Sequence, residues 1–239
     1  MTTLAPTRLH NDMTGRQIRA LTALVQQRAM QTDTLAEFLD TGRNHVYELL
    51  TELRDLNMIE PELLRLAAPG GKWIVPNQRA LNWYFGRRIR RWTPSLLWSV
   101  HGRAVNRTRI ALGARDLDSW TSERDFTLGG CAPDFPGDAE WNTPHGDRIL
   151  VKVDTLGHPI PASKLTETLQ RIVHRTRIDW CTGILWVCAG RTTADTVRTA
   201  AAGLADRSSA LTDELTIAVH DYTDLTDPHT PARAPWGVA

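Results

Sequence analysis

Lysine is nearly missing from this 239-residue chain: the 28 cationic side chains comprise 25 Arg and only Lys72, Lys152 and Lys164. Guanidinium forks match phosphate and carboxylate geometry, so the bias suits anion-binding surfaces and makes each lysine conspicuous. Cysteine is scarce as well. Cys131, Cys181 and Cys188 are odd in number and widely spaced, which argues against a disulfide framework. With His145 and His158 they form no C-x-x-C or H-x-x-x-H spacing, so zinc has no support. No apolar run approaches the roughly 18 residues of a membrane span. The opening MTTLAPTRLHND lacks the apolar stretch of a signal peptide, and a cytoplasmic chain is expected. There is no Walker loop, G-x-G-x-x-G or G-x-S-x-G, which leaves nucleotide-driven work and serine hydrolysis without support.

Acidic residues are missing from one long segment. Residues 63–115 hold no Asp or Glu in 53 positions, yet carry Arg65, Lys72, Arg79, Arg87, Arg88, Arg90, Arg91, Arg103, Arg107, Arg109 and Arg115. The rest of the chain then has 17 basic against 27 acidic groups, so the net charge of +1 conceals strong segregation. Trp73, Trp83, Tyr84, Trp92 and Trp98 are interleaved with the cations. A nucleic-acid backbone favours such a band through counterion release, and its bases through stacking or cation–π contact. The competing reading is a solvated, Arg-rich helix face.

Hydrophobic spacing organises the first third. Ile18, Leu21, Leu24 and Val25 follow helical spacing over residues 14–30. A short helix is expected to begin at Thr32 or Thr34, where Thr34 with Glu37 has the form of a capping box, and to bury Leu35, Phe38 and Leu39. A third helix over residues 43–56 is expected to bury Val46, Leu49, Leu50, Leu53 and Leu56, with Asn57 as a left-handed cap. Two short apolar runs then flank Pro69-Gly70-Gly71, a hairpin signal. Three helices and a hairpin give the order of a winged helix-turn-helix domain. In that geometry Arg43, Asn44, His45 and Tyr47 would face base edges or phosphates, while Glu48, Glu52 and Asp55 would repel them. Residues 77–92 read as a further helix with its arginines clustered at the end, where they also complement the helix dipole. Residues 96–112 read as one or two more helices with Arg103, Arg107 and Arg109 on the polar side.

The second half changes character. A strand is expected around Trp120, Ser122 and Phe126, and a Gly-, Pro- and Asp-rich loop over residues 129–146. RILVKVDT at residues 148–155 is the strongest strand signal in the chain. Helices over 161–177 and 193–204 alternate with strands over 183–188 and 215–220, which implies a parallel or mixed sheet covered by helices.

Lys152 and Asp154 are two apart on the strong strand and so share a face, about one loop from Asp134. Two carboxylates and a lysine are the parts of a Mg²⁺-dependent phosphodiesterase site, and equally of a surface ion pair. The order helix, strand, Pro133-Asp134, strand with Lys152-Val153-Asp154, helix, strand resembles the core of the PD-(D/E)xK restriction-endonuclease-like superfamily. More narrowly, LLTELRDLNMIE, HGRAVNRTRIAL, WTSERDF, APD and ILVKVDT with Lys164 resemble the replication-relaxation family of plasmid and mobile-element proteins, which join a winged helix to such a core. The superfamily pattern would put an acid at 152 and a lysine at 154, the reverse of this chain. The exchange displaces each charge by about 6 to 7 Å, two residues of strand rise. Lys164 could supply the missing cation and Glu123 another carboxylate.

The expected architecture is α+β or α/β: an arm at 1–13, a winged helix at 14–76, a basic linker helix at 77–100, a nuclease-like mixed sheet at 101–222 and a Pro-rich tail at 223–239. The expected function is DNA binding in replication, transfer or its regulation, with double-stranded DNA and a possible second copy of the chain as partners. The DNA-facing set is Arg43, Asn44, His45, Tyr47, Lys72, Arg79, Arg87, Arg88, Arg90, Arg91, Arg103, Arg107 and Arg109. The alternatives are an active Mg²⁺ endonuclease using Asp134, Asp154, Lys152, Lys164 and Glu123, with Asp134 and Asp154 on the metal, and a protein-interaction adaptor.

Overall fold

The structure, a computed structural model, describes residues 13–66, 68–130, 132, 134–155, 160–179, 181–205 and 215–227. The expected arm, save Met13, and the last dozen residues of the expected tail lie outside this set. The chain divides into two compact units, residues 1–106 with 124–133, and residues 107–123 with 134–239.

In the first unit, α1 (Gly15–Gln26) starts at a capping box: Gln17 N–H donates to Thr14 Oγ1, and Thr14 N–H donates to Gln17 Oε1 at 2.8 Å. Leu21, Leu24 and Val25 are fully buried. Next come β1 (Met30–Gln31) and α2 (Thr32–Phe38). The capping box expected at Thr34 does not form, because α2 begins at Thr32 and Thr34 is buried inside the helix. Gln31 precedes the helix without capping it. Its amide is committed elsewhere, donating to the Pro69 and Gly71 carbonyls at 3.0 Å each.

Helix α3 (Arg43–Asp55) buries Val46, Leu49, Leu50 and Leu53 and is followed by Asn57 at φ +53°, the left-handed position expected for it. The chain returns as a ragged hairpin. Leu64 is bridged to Trp73 and Ile59 to Pro76, while β2 (Trp73–Ile74) pairs antiparallel with β1. Ala29, Ala68, Trp73 and Val75 form a buried cluster beneath it, with Leu64, Leu66 and Trp98 packed alongside.

Helix α4 (Gln78–Phe85) is capped by Asn77, whose Oδ1 accepts from the Arg79 and Ala80 amides. It stops at Gly86, φ +65°. Arg87, Arg88, Arg90 and Arg91, expected at a helix end, therefore lie in irregular chain beyond it. Helix α5 (Leu96–Ala111) is a single helix in which the chain passes to the second unit.

The second unit is built on a five-stranded mixed sheet ordered β3-β4-β5-β6-β7. Strand β3 (Trp120–Ser122) leads into α6 (Glu123–Leu128), so Phe126, expected near a strand, is helical. Strand β4 (Ala139–Asn142) sits where only a loop was expected; it pairs antiparallel with β3 and with β5 (Arg148–Thr155). Helix α7 (Ala162–Ile178) carries the chain to β6 (Gly183–Ala189), and α8 (Ala194–Ala205) to β7 (Thr216–Asp221); both pairings are parallel. Parallel neighbours require such crossovers. Helices α7 and α8 pack on each other, and α9 (Tyr222–Thr226) follows β7. Ile149, Val151 and Val153 fill one face of β5. Arg148, Leu150, Lys152 and Asp154 point to the other.

Candidate functional site

In the first unit a cleft of about 480 Å³ runs between the start of α3 and the turn that joins the two halves of the hairpin. Arg43 and Tyr47, one helical turn apart, line one side; Arg65, Gly70, Gly71 and Lys72 line the other. Arg43, Asn44 and His45 are exposed, and Tyr47 leaves 42% of its surface in solvent, unusual for a large aromatic side chain. Gly42 gives α3 no side-chain cap, so the first-turn amides and the positive end of the helix dipole lie beside Arg43. Glu48, Glu52 and Asp55 follow a second stripe of α3, where Glu52 accepts from Gln17 Nε2 at 2.8 Å.

One acid, Asp33, also reaches the cleft, and its charge is already answered. Burial tends to raise its carboxyl, but the Gly71 amide at 3.0 Å and Arg103 at 3.1 Å outweigh that and hold it below the ordinary aspartate value. The same Arg103 donates to Gln31 Oε1 and to Thr34 Oγ1. Gln31 in turn holds the Pro69 and Gly71 carbonyls, and Thr32 N–H donates to the Lys72 carbonyl at 2.9 Å. Arg103 on α5, Gln31-Thr32-Asp33 at the start of α2 and the turn 69–72 are thus one hydrogen-bonded knot. Close approach explains the paired glycines: Gly70 sits at φ +109°, and a Cβ at Gly71 would lie 2.9 Å from the Asp33 backbone nitrogen.

This geometry divides the expected DNA-facing set. Arg43, Asn44, His45, Tyr47, Lys72, Arg79, Arg88 and Arg90 are exposed. Arg65, outside that set, joins them at the cleft. Arg91 is exposed but paired with Glu60 at 3.0 Å, and Arg87 donates to the Leu128 carbonyl. Arg103 is turned inward, as described, rather than outward to a phosphate. In the second unit Arg107 is half-buried. Arg109 corrects the expectation outright: it is fully buried, donates from Nε to the Ala114 carbonyl at 2.9 Å and lies 5.6 Å from the Trp120 ring. Its guanidinium is a structural group capping the end of α5.

The aromatic residues also differ from the stacking platform that their spacing suggested. Trp73 and Trp83 are buried, and Trp98 lies 5.1 Å from Trp73 and 4.5 Å from Trp92, centroid to centroid. The Tyr84 hydroxyl accepts from Gln26 at 3.2 Å. They are packed against protein, which leaves Tyr47 as the aromatic ring of the cleft.

The expected catalytic residues come together only in part. Lys152 and Asp154 share a sheet face, but the acid that meets Lys152 is Asp138, four residues beyond Asp134. Asp138 Oδ2 lies 3.3 Å from Lys152 Nζ and accepts from the Val153 amide at 2.7 Å. Glu123 reaches this cluster through its backbone, its amide donating to the Asp138 carbonyl at 2.8 Å. Asp134 and Lys164 are exposed. Asp154 is 1% exposed, and neither of its carboxylate oxygens has a hydrogen-bond partner among the described residues. Burial raises its carboxyl above the ordinary value; Thr192, Lys152 and the Ile160 amide draw it back only in part. Beside it on β6, burial and the carboxylates of Asp154 and Asp221 push the Cys188 thiol up to about 12, which keeps it protonated. Cys181 is likewise pushed up to about 12 by burial and Glu140.

A divalent metal, which the nuclease resemblance implies, needs carboxylates free to converge on it. Among the described residues no group of three His, Cys, Asp or Glu could hold a metal ion, and the Lys152 ammonium already sits against Asp138. The residues present do not fit a metal there. The alternation Ala139-Glu140-Trp141-Asn142 is the period-two signal that would have revealed β4, and with it Asp138, from sequence. Compared with known proteins, the chain matches no family model, no curated protein and no solved structure.

Proposed function

We propose that the protein binds double-stranded DNA through its first unit, as a winged helix-turn-helix. Helix α3 would enter the major groove with Arg43, Asn44, His45 and Tyr47 leading, and the hairpin turn would serve as the wing that carries Arg65 and Lys72 to the phosphates. One observation carries this reading: the cleft collects three exposed cations, an exposed tyrosine and an uncapped helix start, while the one carboxylate in it is neutralised by Arg103. Such a field attracts a polyanion.

The second unit, in this reading, keeps a nuclease-like sheet without a catalytic set and contributes to binding or assembly. Following the resemblance to replication-relaxation proteins, the role is in replication, transfer or its control for a plasmid, phage or integrative element, and the site of action is the cytoplasm.

Fluorescence anisotropy with a labelled duplex and the full chain tests the proposal. Binding should weaken in Arg65→Ala, Lys72→Ala and Tyr47→Ala, and excess unlabelled duplex should compete. A chain that ignores duplex DNA yet binds a polyglutamate peptide through the same residues would replace this reading with the adaptor one.

A further inference from the structure

Lys152 is buried more deeply than a solvent-facing lysine: its side chain is 20% exposed, that of Asp138 11%, and Asp154 is 1% exposed. Two carboxylates within electrostatic reach of each other in such surroundings repel, and each lacks the water that would screen it. Asp138 is stabilised by the Val153 amide and the ammonium at 3.3 Å. Asp154 is drawn down by the same ammonium and pushed up by Asp138, so the three charges act on one another. Thr192 and the Ile160 amide also favour the charged form of Asp154, but neither carries a charge. Arg148, the other cation on this face of β5, is paired with Glu140 at 2.8 Å, so Lys152 is the cation that acts on Asp154. A bound divalent ion neutralises paired carboxylates in the same way.

We propose that the Lys152 ammonium is the built-in cation of the Asp138–Asp154 pair, holding the place a divalent metal would take and closing this site to metal. The ammonium is tethered by its own backbone, so its local concentration is set by geometry and free Mg²⁺ or Mn²⁺ does not displace it. A glutamate at 152 would remove the cation and add a third carboxylate, and the site should then accept a metal. The inference builds on the second unit having no catalytic set, and it is indifferent to whether the first unit binds DNA. Lost duplex binding would therefore fail one proposal and leave this one standing.

The experiment is Mn²⁺ titration of the full chain, with free Mn²⁺ read by electron paramagnetic resonance and the unfolding midpoint followed in parallel. Wild type should take up no more Mn²⁺ than Asp138→Asn, and its midpoint should not move. Lys152→Glu should bind one Mn²⁺ per chain, and its midpoint should rise with the logarithm of Mn²⁺ concentration. Lys152→Met, which keeps the apolar stem but removes the cation from the two carboxylates, should bind Mn²⁺ more tightly than wild type and more weakly than Lys152→Glu. Uptake of one Mn²⁺ by wild type, lost in Asp138→Asn, would overturn the proposal, and so would a folded Lys152→Glu that stays free of Mn²⁺. If Lys152→Glu does not fold without metal, the wild-type comparison still decides the matter.

Discussion

Replacing Arg103 separates two roles that its charge alone would confuse. As a phosphate contact it would matter for DNA and little for stability. In the structure it reaches from α5 to Gln31, Asp33 and Thr34 with a side chain 20% exposed. Arg103→Met keeps most of the stem and removes the guanidinium. Gln31 is 1% exposed, so its Oε1 would be left buried and unsatisfied, at a cost of roughly 1–3 kcal/mol. The ion pair with Asp33, whose side chain is 29% exposed, adds well under about 1 kcal/mol after solvent screening. The total, about 1.5–3.5 kcal/mol, is a sizeable share of the stability of an ordinary domain. Urea unfolding of the full chain should show that loss as a lower midpoint at unchanged slope. The salt dependence of duplex binding should keep its wild-type slope under conditions where the variant is folded. A variant that loses less than roughly 0.5 kcal/mol while its log–log salt slope drops by about 0.9 would make Arg103 a phosphate ligand and refute the knot.

The same geometry sets further outcomes. Gly71→Ala should destabilise by about 1–3 kcal/mol, because the new methyl meets the Asp33 backbone nitrogen at 2.9 Å; thermal unfolding reads it. Asp138→Ala removes the acceptor of the Val153 amide and the partner of Lys152, and should cost roughly 1–3 kcal/mol in urea. Asp154→Asn should do the opposite at neutral pH. A carboxyl raised in the folded state contributes stability below its ordinary 3.8 that is lost as pH rises through the folded value, and the amide escapes that loss. Asp33 carries the reverse sign: its lowered carboxyl supports the fold above about pH 4, and that support is lost as pH falls through the lowered value, so Asp33→Asn should flatten the acid limb of a pH–stability curve.

Long, regularly spaced elements were legible in the sequence, and short or tertiary ones were not. Helix α3 and strand β5 announced themselves through period and composition, and Asn57 took the left-handed position that its side chain tolerates. Strand β1 has two residues, too few for any period, and exists because β2 pairs with it. Strand β4 is four residues long and flanked by Gly and Pro, which mask its period, and Asp138 lies just before it, outside any motif that spacing alone would mark. The basic band is segregated charge that the sequence displays directly, but charge does not say which way an arginine points. Arg103 is turned into a polar knot and Arg109 onto Trp120, contacts made by residues far apart in sequence or by a buried ring. The exposed cations that remain cluster at the hairpin turn, the start of α3 and around α4.

The salt dependence of duplex binding reports most directly on whether these cations lie on DNA. Arg43, Arg65, Lys72, Arg79, Arg88 and Arg90 are exposed in the first unit, and contact by four or five of them gives a log–log slope of about −3.6 to −4.5. Anisotropy titrations of the full chain across a salt series should return a slope in that range, and Arg65→Ala with Lys72→Ala should lower its magnitude by about 1.8. A slope near −1, unchanged in that double variant, would contradict DNA binding through the cleft.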